Sequence, residues 1–213
     1  AFRQRLWSTP GVVATSSDSA VGSSLYFRLL NTPGLPEEVQ KLRDRCLQSG
    51  ELPHGEILED GVAQWRFRRQ ISQGFYYVWD WPGEPDTDWL AARRDWGRRV
   101  RAELLRNAEE GYDSPLLVFN RISREHAGGA RRVIHLSWER WNSEKHKAAP
   151  PTKPVWLSEY LVDYAEEWLE KSKDPGIVWI DTTAVAQKLR ERGVAVFGAG
   201  DSPPVKALPC AMS

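Results

Sequence analysis

The chain has 213 residues, of which 41% are hydrophobic and 27% charged, and its 29 Lys+Arg balance 29 Asp+Glu. That composition has room for one large domain or two small ones, and the zero net charge gives no bulk argument for nucleic acid or for a membrane surface. No apolar run is long enough to span a bilayer, and two cysteines, Cys46 and Cys210, exclude a disulfide framework or a four-cysteine zinc site, so a reducing, cytoplasmic setting is the expectation.

The chain starts without Met, in text that reads like the inside of a domain and lacks the apolar core of a signal peptide, so a fragment or processed chain is expected. Pro10-Gly11 marks a turn, and residues 16–30 predict a helix capped by Ser17 or Asp18. Pro36 at a first helical position, with Glu37 and Glu38 behind it, predicts a second helix to about Gln48, stopped by Gly50. A loop follows, with one short strand at Glu56–Leu58. Ala63, Phe67 and Ile71 share a helical face, and after Gly74 the run Phe75 to Trp79 has strand composition.

Residues 89–110 give the clearest helix, with Trp89, Ala92, Trp96, Val100 and Leu104 at helical spacing, Asp88 as cap and Gly111 as stop. Ser114 to Pro154 is less regular, with short apolar runs at Leu116–Phe119 and Val133–Leu136 and a linker-like piece up to the prolines. A helix is predicted from Val155 to Lys173, presenting Trp156, Tyr160, Leu161, Tyr164 and Trp168 on one side. "GIVWIDTTAVAQKLRERGVAVFGAG" then reads as strand, helix, strand, the half-unit of nucleotide-handling α/β domains.

Phosphate-loop, dinucleotide and nucleophile-elbow motifs are all absent from the sequence. The four His, at 54, 126, 135 and 146, lack zinc spacing and read as surface or loop residues. Two constellations remain. The turn Asp181-Thr182-Thr183 puts hydroxyls and unpaired backbone N–H groups at a helix N-terminus, which suits a phosphate, although local pattern favours an ordinary N-cap by Asp181 or Thr182. Arginine interleaved with aromatics, in "QWRFRRQ" and "RRDWGRRVR", suits a phosphate track with stacking on bases, or a solvated face whose arginines pair with Asp80, Glu84, Asp86 and Asp95. Arg94, Arg98 and Arg99 are the candidates for that track. The 11 Trp are open to either core packing or stacking.

In their order, "RLWSTPGVVATS", "DGVAQWRFRRQISQGFYYVWDW", "DWLAARRDWGRRVR…DSPLLVFNR" and "GIVWIDTTAVAQKLRERGVAVFGAG" resemble the second half of superfamily 2 DEAD/DEAH helicases, in the Swi/Snf-like form carried by bacteriophages. The resemblance implies an α/β chain: a helix-rich interlobe region over 1–150, then the start of a RecA-like parallel-sheet lobe over 151–213. It implies DNA and the remaining helicase lobe as partners, no membrane, and a part in DNA replication. ATP and Mg are implied for the parent protein and none for this chain, since the phosphate loop, the Walker B acids and the arginine finger are missing from it. Asp181, Thr182 and Thr183 match the motif IV turn, a backbone phosphate contact. The rival expectation is a non-enzymatic module that binds a protein through its aromatic surface.

Overall fold

The computed structural model describes residues 31–107, 113–147, 149–172, 177–198 and 210–212, the last as backbone only. The helix expected over 16–30 and the stop expected at Gly111 lie outside them. The described residues from Pro33 onward form one compact unit.

Helix α1 (Glu37–Ser49) starts and stops where the sequence signals, with Gly50 in the left-handed conformation as its C-cap. Helix α2 (Gly61–Ile71) is capped by Asp60, whose carboxylate accepts from Ala63 N at 2.7 Å. Strand β1 (Phe75–Trp79) follows. Val39 and Cys46 of α1, Phe67 and Ile71 of α2, Leu58 and Tyr76 close the first core. The expected strand at Glu56–Leu58 reduces to a single bridge, Glu51 to Ile57, within a loop tied to itself by Leu52 N donating to Glu56 O.

Helix α3 (Thr87–Arg106) begins one residue before the expected cap. Asp86, not Asp88, caps it, because its side chain accepts from Asp88 N and Trp89 N. The stretch expected to be irregular holds two helices, α4 (Pro115–Ala127) and α5 (Val133–Glu144). Ser114 before Pro115 is a helix start, and Ile134, Trp138 and Trp141 recur at helical spacing from the short apolar run into the linker-like piece. Trp96, Val100, Val118, Ile122 and Ile134 join α3, α4 and α5 in a second core. His135, expected at the surface, is fully buried there, and its Nδ1 accepts from Arg132 N at 2.8 Å.

The helix expected from Val155 is also corrected. Residues Thr152–Trp156 form strand β2, antiparallel to β1 with Phe75 opposite Trp156, and helix α6 runs only over Tyr160–Lys171. Pro154 keeps this segment extended, and β1 supplies its ladder. The strand–helix–strand unit is present as β3 (Ile177–Trp179), α7 (Thr183–Glu191) and β4 (Val196–Phe197). The backbone of β5 (Cys210–Met212) lies between β3 and β4, parallel to both. Val162 of α6 and Leu189 of α7 centre the third core. The chain is thus a mixed α/β protein with seven helices among the described residues, a two-stranded antiparallel sheet and three short parallel strands. No described helix is long and apolar enough to cross a membrane.

Helices α6 and α7 are joined by Arg192 and Lys188, which both reach Glu159. Arg192 donates to Asp163 at 2.6 Å, to Glu166 at 2.8 Å and to Glu159. The hydrogen bond from Arg192 holds the Glu159 carboxyl below its ordinary range, with Lys188 adding to it. A carboxyl lowered on folding stabilises the fold above its unfolded pKa of about 4.3, and that contribution is lost as the pH falls through the lowered value. Glu159 is a third exposed, so the gain is at most about 1 kcal/mol. Between pH 7 and about pH 2 the melting temperature is expected to fall less for Glu159→Gln than for the parent chain; equal falls would place the acid-labile group elsewhere.

Candidate nucleic-acid interface

Helix α2 buries Phe67 and Ile71 and turns the opposite stripe outward. On that stripe Val62 and Trp65 are exposed at 61% and 59%. One turn on, the Arg69 guanidinium lies 5.1 Å over the Trp65 ring and pairs with the Asp181 carboxylate. Gln73, just past the helix, donates to Asp181 Oδ1 at 2.9 Å and accepts from the Thr182 hydroxyl at 2.8 Å. Tyr77 of β1 shares a hydrogen bond of 3.3 Å with the Thr183 hydroxyl. The two stretches singled out in the sequence, "QWRFRRQ" and Asp181 to Thr183, therefore meet.

Trp179 stands two residues before Asp181 and is the most exposed large apolar side chain described, at 78%. Ile177 shares its side of β3, because side chains two apart on a strand point the same way. Gln73, Trp179 and Asp181 border a shallow pocket of about 220 Å³. The surface thus runs from one exposed indole, Trp65, through Arg69 and Asp181, to a second, Trp179.

The hydroxyls do not act as caps. Thr182 occupies the N-cap position of α7 but gives its hydroxyl to Gln73 rather than accepting from the first turn. The N–H groups of that turn thus have no side-chain acceptor from the cap, and Arg69 offsets the negative charge of Asp181 beside them. Arg66 and Arg68 of α2 are exposed and have no ion-pair partner among the described residues.

The other candidates lie elsewhere. Arg94 pairs with Glu51 at 3.5 Å and donates to Gly55 O, Arg98 donates to Glu51 at 2.8 Å, and Arg99 faces Asp95 at 3.8 Å. Arg94 and Arg98 clamp α3 to the 51–60 loop, Arg99 pairs within α3, and none of the three has a contact with the 181–183 turn among the described residues. Of the acids expected to pair with arginines of this helix, Asp95 does so, whereas Asp86 binds Lys147 and Asp80 binds Lys153. The tryptophans divide by position: Trp89 and Trp96 are buried, at 2% and 5%, while Trp65 and Trp179 face outward.

Compared with known protein families, curated proteins and solved structures, the chain matches none. Among the described residues no group of three or more His, Cys, Asp or Glu is placed to hold a metal ion. Of Trp65, Arg69, Gln73, Tyr77 and Trp179, the first two fall within the quoted "QWRFRRQ" and the other three were not singled out in the sequence. The spacing of Trp65, Arg69 and Gln73, opposite Phe67 and Ile71, carries a usable signal for the first three. No local pattern ties Trp179 or Tyr77 to them.

Proposed function

We propose that this chain contributes a single-stranded DNA-binding surface to a nucleic-acid-dependent ATPase of the helicase type. The observation that carries the binding part is the Arg69–Asp181 pair, which sets two exposed indoles and a helix N-terminus on one surface. Indoles stack on any base, and the N–H groups of α7 with Arg66 and Arg68 offer phosphate contacts beside them. Support for the helicase part is the resemblance together with the order β3, turn, α7, β4, as at the opening of a RecA-like lobe. ATP and Mg would be held by other parts of such a protein.

Each of Trp65→Ala and Trp179→Ala is expected to weaken binding of a single-stranded oligonucleotide by about five- to 150-fold, the worth of one base stacked on an aromatic ring. Both side chains are exposed, so the melting temperature should hold. With Arg66 and Arg68 as the phosphate contacts, affinity is expected to fall about sevenfold between 50 and 200 mM salt, from a slope of about −0.7 per phosphate on single strands. Fluorescence titration of the intact chain reads both effects. Binding that ignores salt and both tryptophans would refute the proposal and favour a protein partner.

A further inference from the structure

A second concave site lies between the 51–60 loop and the first half of α3, a cavity of about 220 Å³ walled by Ile57, Trp79 and Leu90. Its polar residues are unequal. Arg93 is fixed: it donates to Glu56 at 2.6 Å, and its guanidinium sits 5.2, 5.5 and 5.9 Å from the rings of Trp79, Trp89 and Trp141. Glu56 also takes His54 at 3.3 Å. Glu59, on the same wall, has neither a hydrogen bond nor an ion pair among the described residues.

The two carboxyls titrate in opposite directions. Burial works to raise Glu56 but is outweighed by the His54 hydrogen bond and Arg93, so it stays ionised. Burial pushes the Glu59 carboxyl up, with Glu56 and Asp60 adding to the rise and Arg93 opposing it. Arg93 is held rigidly, so it loses little freedom on meeting a ligand.

We infer that this cavity receives one nucleobase, stacked against Trp79 with its hydrogen-bonding edge toward Arg93 and Glu59. A flat ring satisfies the apolar walls, and the donors and acceptors of a base edge suit a donating guanidinium beside an accepting carboxyl, the side-chain types that read base edges. Trp79 also lines the adjoining groove of about 410 Å³, which runs past Arg66 and Gln70 to Tyr77, and Tyr77 touches Thr183. The cavity therefore adjoins a groove that reaches Tyr77, a residue of the proposed strand-binding surface. The inference rests on that reading only for the source of the base, since a free nucleoside presents the same edge.

The intact chain is titrated with each of the four deoxynucleosides and with twelve-residue single strands of each base, followed by tryptophan fluorescence. Preference for one base by about tenfold or more is expected, within the range of a good bidentate contact. Ala91 lies on the cavity rim, exposed on α3. Ala91→Trp fills the space without touching a core and should remove the preference, with the melting temperature unchanged. Glu59→Gln keeps the shape and should reorder which base is preferred. Strands that bind without preference and ignore Ala91→Trp overturn the cavity site and leave the strand surface standing. Nucleosides that bind where strands do not leave the cavity and remove the surface. Binding of neither overturns both.

Discussion

Replacing Gly74 by alanine is expected to cost about 3–5 kcal/mol, a large share of a typical domain's stability. Gly74 joins α2 to β1 with φ of +90°, where an L side chain is strained. Its carbonyl accepts from Leu157 N at 2.8 Å and Ser158 N at 3.1 Å, which brings the β2–α6 junction directly against it. A Cβ there would overlap the Ser158 carbonyl oxygen, a backbone atom that cannot swing aside. Gly129→Ala supplies the contrast, because Gly129 has φ of +87° and nothing within 4 Å of an added Cβ. It isolates the backbone strain at about 1 kcal/mol. Urea melts of both variants test the difference; equal losses would mean that the β2–α6 junction yields to the methyl group.

Glu103→Ala is expected to cost about 3 kcal/mol, near the lower end for breaking a buried ion pair. Glu103 is 5% exposed on α3 and receives Arg121 of α4, Arg106 at 2.7 Å and Asn107 at 3.2 Å. The alanine would take a carboxylate from the Arg121 guanidinium, which is 14% exposed beside an apolar core and also faces Glu125 at 3.6 Å. Leucine in place of Glu103 together with methionine in place of Arg121 should recover most of the loss, since two apolar groups of similar size need no mutual charge. A loss below about 1 kcal/mol for the single change would show that the other groups around Arg121, Glu125 among them, satisfy it.

Helices whose apolar residues fall at three- and four-residue spacing between clear start and stop signals, α1, α2 and α3, were legible in the sequence. So was β1, a run of aromatic residues after a glycine. Helix α5 was hidden because its buried face is built from Ile134, half-buried indoles and the histidine His135, a residue that hydropathy scores as surface. Strand β2 carries Lys153 and Pro154, and only its pairing with β1, far away in the chain, makes it a strand. The site shows the same limit. Asp181, Thr182 and Thr183 were found from local pattern, but their partners Arg69, Gln73 and Tyr77 lie on elements that only tertiary packing brings there.

The antiparallel ladder between β1 and β2 also bears on the order in which the protein assembles. Its paired residues, Phe75 and Trp156, lie about 80 residues apart, so forming it closes a long loop at an entropic penalty met before any of its contacts return energy. Helices α3, α4 and α5 fill that loop and pack with one another through sequence-near contacts. The helical trio should therefore form early and shorten the effective loop, with the ladder and the Gly74 junction closing last. Damage at Gly74 would then appear mainly as faster unfolding, while damage within the trio at Glu103 would slow folding itself.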